Sequence, residues 1–149
     1  MTQRDRSADS YAALLLRLLL GALFIAHLDW KFYLLPGGFD AWCAGLSHAG
    51  YAPYVPWYVV SAEAFGAALL IPGILTRYVA VYAMPMMLGA AWFWLTRKGF
   101  YFTKAGGELP LVWLALLGLQ AVLGDGRFAL VRSPAPANFL RRPLRRRAA

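Results

Sequence analysis

The residues of this sequence whose types suggest chemistry are ionisable side chains that lie within or at the ends of apolar segments of membrane length. They are Arg17, His27, Lys31, Glu63 and Glu108. A charged side chain at the centre of a membrane-spanning helix costs about 2.5 to 3.5 kcal/mol on insertion scales, so each group needs a partner, water or a function. A histidine near a carboxylate can donate a hydrogen bond to a carbonyl ligand and supply a proton when that ligand is reduced. These five residues are therefore the candidate ligand-binding site.

Three of these residues share the first apolar segment. At about 100° per residue, Phe24 lies about −20°, Lys31 about −40° and His27 about −80° from Arg17 around the helix axis. All four residues then lie on one side of the helix. The segment predicts a polar stripe that faces other helices rather than lipid.

The direction of helical side chains predicts how the stripe is paired, because they point back toward the N-terminus of their own helix. Glu63 should pair with His27 or Lys31 toward the outer side of the membrane. Arg17 should pair with Gln120 or with a phosphate group on the cytoplasmic side. Two interpretations stay open, namely hydrogen bonds and anchors that lock the helices in place, or a ligand or proton site.

Glu108 follows a glycine pair and precedes Leu109 and Pro110, a pattern that is typical of a helix start. A carboxylate at that position is favourable by about 0.3 to 1 kcal/mol through the helix dipole, so a structural role is favoured over a ligand role. No metal site is predicted, because the two histidines are not spaced as a ligand pair and Cys43 is the only cysteine. A single cysteine also excludes an intramolecular disulfide.

The composition is that of an integral membrane protein, with 60% hydrophobic residues and a mean hydropathy of +0.51. The first apolar segment is too long for the apolar part of a signal peptide, so we expect a retained span. The lengths of the apolar segments along the chain predict an all-α fold, a four-helix transmembrane bundle. Its four spans are about 11–30, 57–71, 77–95 and 108–124.

The loop after the first span is expected to contain a short interfacial helix. Its apolar residues follow the spacing of one helical face, and aromatic residues flank them. The residues with that spacing are Phe39, Trp42, Cys43 and Leu46.

The net charge of +8 is concentrated near the C-terminus. We expect residues 132–149 to form a disordered basic tail that binds anionic lipid headgroups and not nucleic acid. With residues 1–10 as an N-terminal tail, the transmembrane domain is predicted over 11–131. Ten of the flanking Lys and Arg residues lie on the side of the two termini and four on the other side, which predicts that both termini are cytoplasmic.

The combined pattern resembles the DoxX family of small four-helix membrane proteins over about residues 11–131. The shared residues are short motifs near the helix ends and the ionisable residues of the first two spans. They are Arg17-Leu18-Leu19-Leu20-Gly21, Phe24, His27, Lys31, Glu63, Gly66, Gly73, Thr76-Arg77, Gly99-Phe100, Gly106-Gly107-Glu108, Gly124-Asp125-Gly126-Arg127-Phe128 and Leu130. The resemblance implies a multi-pass protein of the cytoplasmic (inner) membrane. Some relatives are linked to quinone-dependent sulfur oxidation, and others assemble with redox and oxidative-stress enzymes.

The favoured interpretation is a membrane subunit of a quinone-linked redox assembly, with a quinone held by His27, Glu63 and Lys31. The chain has no cofactor-binding cysteines and no nucleotide motif, so catalysis would require a redox-enzyme partner subunit. The alternative is a scaffold or assembly factor whose polar groups only lock the helices. A small-solute transporter is less favoured, because four spans without inverted repeats give little room for alternating access.

Overall fold

The computed structural model describes residues 3–134, and this part of the chain contains five α-helices and no strand. They are α1 (Gln3–Asp29), α2 (Gly38–His48), α3 (Val55–Leu70), α4 (Thr76–Lys98) and α5 (Glu108–Leu123). A π-helical turn, Trp30–Leu34, directly follows α1, and a short 3-10 turn, Phe102–Lys104, precedes α5. Most of the predicted basic tail, from residue 135 onward, lies outside the described residues.

Helix α1 begins at Gln3, so the polar residues 3–10 continue the helix of the first apolar segment. These residues contain neither Pro nor Gly, and a helix that has formed propagates readily through such a stretch. The helix and the π-turn together provide the apolar stretch Ala8–Leu34, which is long enough to cross a membrane.

Helix α4 is the second stretch that is long and apolar enough to cross a membrane. Helices α3 and α5 are apolar as well, with 16 residues each. Large apolar side chains remain exposed on the two long helices, including Leu15 on α1 and Trp92 on α4. Such surfaces are typical of helices that face lipid, and the described residues form an all-helical fold.

The core lies where α1 packs on α3, α3 on α4, α4 on α5 and α5 on α1. Leu20, Leu70 and Leu117 are fully buried there. Gly66 of α3 lets the ring of Phe24 on α1 approach its backbone, since a Cβ atom at Gly66 would lie 2.2 Å from Phe24 Cδ2. The small residue therefore sets the distance between α1 and α3.

The chain after α5 folds back onto the turn between α3 and α4. We call residues 125–133 the closing segment. Val131 N donates to Gly73 O, Leu75 N donates to Val131 O, and Leu130 N donates to Pro72 O, at 3.0 to 3.2 Å. These bonds pair backbone groups that follow the end of α3 and would otherwise lack partners.

Helix α2, in the loop after the first span, contains the four residues whose spacing predicts a short helix. It begins after Gly37, whose φ of +80° turns the chain out of the π-turn. None of its residues is buried. Helix α2 therefore lies on the surface of the described chain.

Candidate functional site

A buried ion pair joins the end of α1 to the middle of α3. Lys31 Nζ donates to Glu63 Oε1 at 2.5 Å, and the two side chains are 5% and 2% exposed. Lys31 lies in the π-helical turn, a form of helix that is rare and occurs often at functional sites. The sequence predicts that Glu63 pairs with His27 or Lys31, and in the structure its partner is Lys31.

The ion pair has one aromatic neighbour and one free oxygen. Lys31 Nζ lies 4.9 Å from the centre of the Trp42 ring of α2, within the range of a cation–π contact. Glu63 Oε2 is buried and accepts no hydrogen bond from the described residues. A buried carboxylate oxygen without a donor is unfavourable by about 1 to 3 kcal/mol, so this atom is where an additional donor would bind most favourably.

His27 lies at the margin of the polar stripe and is exposed, which corrects the prediction that the whole stripe faces other helices. Arg17, Phe24 and Lys31, spaced by seven residues, are buried. The additional rotation of about 40° from Lys31 to His27 is enough to move the imidazole out of the core. The buried stripe is therefore narrower than the prediction.

The His27 ring packs edge-on against Trp113 of α5, with the ring centres 4.7 Å apart. Its Nδ1 lies 3.1 Å from Leu23 O. A carbonyl oxygen only accepts hydrogen bonds, so Nδ1 carries the proton in this contact. Nε2 of the neutral ring is then left as an acceptor.

Arg17 does not pair with Gln120, one of its two predicted partners, and its pairing with a phosphate group stays a prediction. Arg17 is 2% exposed, and its Nη2 donates to Phe128 O of the closing segment at 2.8 Å. Gln120 Nε2 instead donates to Gly124 O at 2.8 Å and to Thr76 Oγ1 at 3.3 Å. The carbonyl group at the end of α5 is close enough to accept a hydrogen bond from Gln120 Nε2, whereas Arg17 extends toward the α3–α4 turn.

Asp125 is the residue that the sequence did not single out, although it lies in the Gly124-Asp125-Gly126 motif. Its Oδ1 accepts from Thr76 N and Thr76 Oγ1 at 2.8 Å and from Ser133 Oγ at 2.9 Å, and its Oδ2 accepts from Ser133 N at 2.7 Å. Thr76 is the first residue of α4, so Asp125 caps this helix from a distant part of the chain. The same carboxylate holds both ends of the closing segment together.

The stability of the protein should fall in acid through Asp125. Burial of its carboxyl favours a higher pKa, but the hydrogen bonds from Ser133 and Thr76 outweigh burial and hold the pKa below its ordinary value of 3.8. The stabilisation is complete above 3.8 and is lost as the pH falls through the lower pKa of the folded state. Asp125→Asn should lower stability at pH 6 by about 1 to 3 kcal/mol and flatten this acid dependence. Thermal unfolding in detergent between pH 6 and pH 3 measures both effects, and parallel curves for the two proteins would contradict them.

Glu108 is the first residue of α5 and lies away from any ion pair of the described chain. Its Oε2 accepts from Phe102 N at 2.9 Å, which links the loop before α5 to the start of the helix. This contact and the helix dipole account for the carboxylate at this position. Of the other candidate residues, Lys31 pairs with Glu63, Arg17 contacts the closing segment, and His27 lies apart from both, against Trp113.

The described residues contain no group of three His, Cys, Asp or Glu side chains that could hold a metal ion. A family model described as DoxX matches residues 12–96, the region from α1 to α4. This range includes Arg17, His27, Lys31 and Glu63. No curated protein and no solved structure matches the chain significantly.

Proposed function

Because the chain belongs to the DoxX family, we propose that it is a membrane subunit of a quinone-linked redox or oxidative-stress assembly in the cytoplasmic (inner) membrane. The observation that carries this proposal is the buried Lys31–Glu63 pair, whose second carboxylate oxygen has no donor within residues 3–134. Buried ionisable groups in membrane helices often mark ligand or proton sites. The electrons come from, or pass to, a redox-enzyme partner subunit.

The proposed architecture is a four-helix transmembrane bundle formed by α1, α3, α4 and α5, with both termini in the cytoplasm. At about 1.5 Å per residue, α3 and α5 are each about 24 Å long. A helix somewhat shorter than the hydrocarbon layer is accommodated by local thinning of the bilayer and by its flanking residues. Helix α2 then lies at the outer membrane surface, next to the Lys31–Glu63 pair.

The Lys31–Glu63 pair offers a donor and an acceptor side by side. Lys31 Nζ has three N–H bonds, of which one is used by Glu63 Oε1, so two remain for a ligand carbonyl oxygen. Glu63 Oε2 can accept a hydrogen bond, and then a proton, from a ligand hydroxyl group. A bound quinone supplies reversible uptake of two electrons and two protons.

His27 is proposed to exchange protons between this site and the membrane surface. It precedes Lys31 by four residues and is exposed, and its Nε2 is left as an acceptor by the contact of Nδ1 with Leu23 O. A ring nitrogen that is accessible and free of other partners can take up a proton and release it again.

Quinone binding is expected to quench tryptophan fluorescence, because Trp42 and Trp113 lie against Lys31 and His27. The purified protein should also yield a quinone on extraction with organic solvent. Glu63→Gln should weaken the quenching titration about tenfold or more, since a charged hydrogen bond contributes about 1.5 to 3 kcal/mol. Glu108→Gln is the matched control and should bind as the original protein does. No extracted quinone together with no quenching would contradict the proposal.

A scaffold or assembly factor is the second candidate, and the closing segment favours it. Asp125 joins α4 to the end of the described chain, and the Lys31–Glu63 pair joins the π-turn to α3. Contacts of this kind fix the conformation of the surface that a partner protein would bind. In that case, Glu63→Gln lowers thermal stability but leaves the redox activity of the assembled partner enzyme unchanged.

A further inference from the structure

A groove of about 390 Å³ lies between α2 and the beginning of α3 and is separate from the Lys31–Glu63 pair. Its wall on α2 includes Phe39, Asp40, Cys43 and Ser47, and its wall on α3 includes Trp57. This volume is within the range of small-molecule sites, which are mostly apolar with a few polar groups. The groove therefore has the size and lining of a site for part of an amphiphile.

The one charged group that lines the groove is the carboxylate of Asp40. Asp40 is exposed, and its carboxylate forms no hydrogen bond or ion pair within residues 3–134. Lys31, the basic residue of the neighbouring turn, is already engaged by Glu63 and by the Trp42 ring. This free carboxylate therefore favours a ligand with a cationic group at the groove.

Aromatic rings form the wall beside this carboxylate. Phe39 packs at an angle against Trp57, with ring centres 5.2 Å apart, and stacks on Phe32 at 5.0 Å. Trp57 is 66% exposed, so much of its indole surface remains open. Tryptophan is the best aromatic partner for an ammonium group, and aromatic walls are a common means of binding quaternary ammonium ligands.

We propose that the α2 groove binds the ammonium headgroup of a zwitterionic phospholipid, with Asp40 as counter-ion and Trp57 as aromatic face. Helix α2 has no buried residue and connects two apolar helices, a position at which the ammonium groups of zwitterionic lipids are available as cationic ligands. Only the membrane position of α2 is taken from the proposed function. The headgroup site does not depend on quinone binding at Lys31 and Glu63.

The only cysteine of the sequence lines the groove and provides a direct probe of occupancy. The full-length protein is placed in bilayers of phosphatidylglycerol alone or of phosphatidylglycerol mixed with phosphatidylethanolamine, and the alkylation rate of Cys43 by a maleimide is measured. The ammonium lipid should slow alkylation by roughly threefold or more. Burial and the charge of Asp40 raise the pKa of the Cys43 thiol, so the assay is run at mildly alkaline pH.

Asp40→Asn should abolish the protection, and Asp29→Asn, which neutralises an exposed carboxylate at the end of α1, should retain it. The ratio of rates with and without the ammonium lipid is compared within each variant, because loss of the Asp40 charge speeds alkylation by itself. Equal alkylation rates in the two bilayers would overturn the proposal. Protection that persists in Asp40→Asn would also overturn it, because the groove would then take lipid without charge recognition.

Discussion

Glu63→Ala should lower the free energy of unfolding by about 3 to 5 kcal/mol, the range found when one partner of a buried ion pair is removed. The substitution leaves the ammonium group of Lys31 buried beside the Trp42 ring, without a counter-ion among the described residues. Replacing both residues together, as Lys31→Met with Glu63→Leu, should recover most of the loss, because similar apolar side chains fill the space without a charge. Unfolding by a denaturing detergent, followed by tryptophan fluorescence, measures all of these proteins.

Glu108→Ala is the control for loss of a carboxylate at the start of a helix, and it should cost about 1 kcal/mol or less. A stable Glu63→Ala variant, or a double variant as unstable as the single one, would show that the pair is not a buried ionic contact. This comparison also separates the effect of Glu63 on stability from its effect on ligand binding.

Gly73→Ala is expected to have the second large effect, about 2 to 4 kcal/mol. Gly73 has a φ of +77°, which is unfavourable for a residue with a Cβ atom. The added atom would also lie 1.3 Å from the position of Arg17 Nη1 and 2.8 Å from Ala129 Cα. Alanine at this position would therefore strain the α3–α4 turn and displace both Arg17 and the closing segment.

Gly118→Ala provides the matched control for this substitution. Gly118 lies within α5, and apart from its chain neighbours and the backbone of its own helix no described atom is within 4 Å of the position that its Cβ would take. Alanine favours a helix over glycine, so this variant should unfold at the same temperature or a higher one. A similar decrease in both melting temperatures would show that the effect at Gly73 is not local.

The helical character of the chain could be predicted because apolar segments and helix-ending residues determine structure through residues that are close in sequence. The second predicted span, 57–71, ends within one residue of α3, just before Pro72 and Gly73, and Glu108 begins α5 as its local pattern predicts. The choice of Lys31 as one of two partners for Glu63 followed from the direction of helical side chains, a property of any helix. These features depend on neighbours in sequence or on helix geometry alone.

The partners of Arg17 and the role of Asp125 could not be predicted in this way. Phe128 follows Arg17 by 111 residues, and Ser133 reaches Asp125 only because the chain reverses after α5. The exposure of His27 depends on how much of α1 is covered by α5. The angular positions of residues around α1 alone do not contain this information. Contacts of this kind require the packing of several elements.

The closing segment has a consequence for the order in which the protein is made. Thr76 and Arg17 receive partners from residues 125–133, which leave the ribosome after all five helices have been synthesised. Until then, the start of α4 lacks its carboxylate cap and the guanidinium of Arg17 lacks the Phe128 carbonyl. A nascent or truncated chain that ends at Gly124 would have its helices but not these contacts. The closing segment thus adds these contacts to the helices only late in biosynthesis.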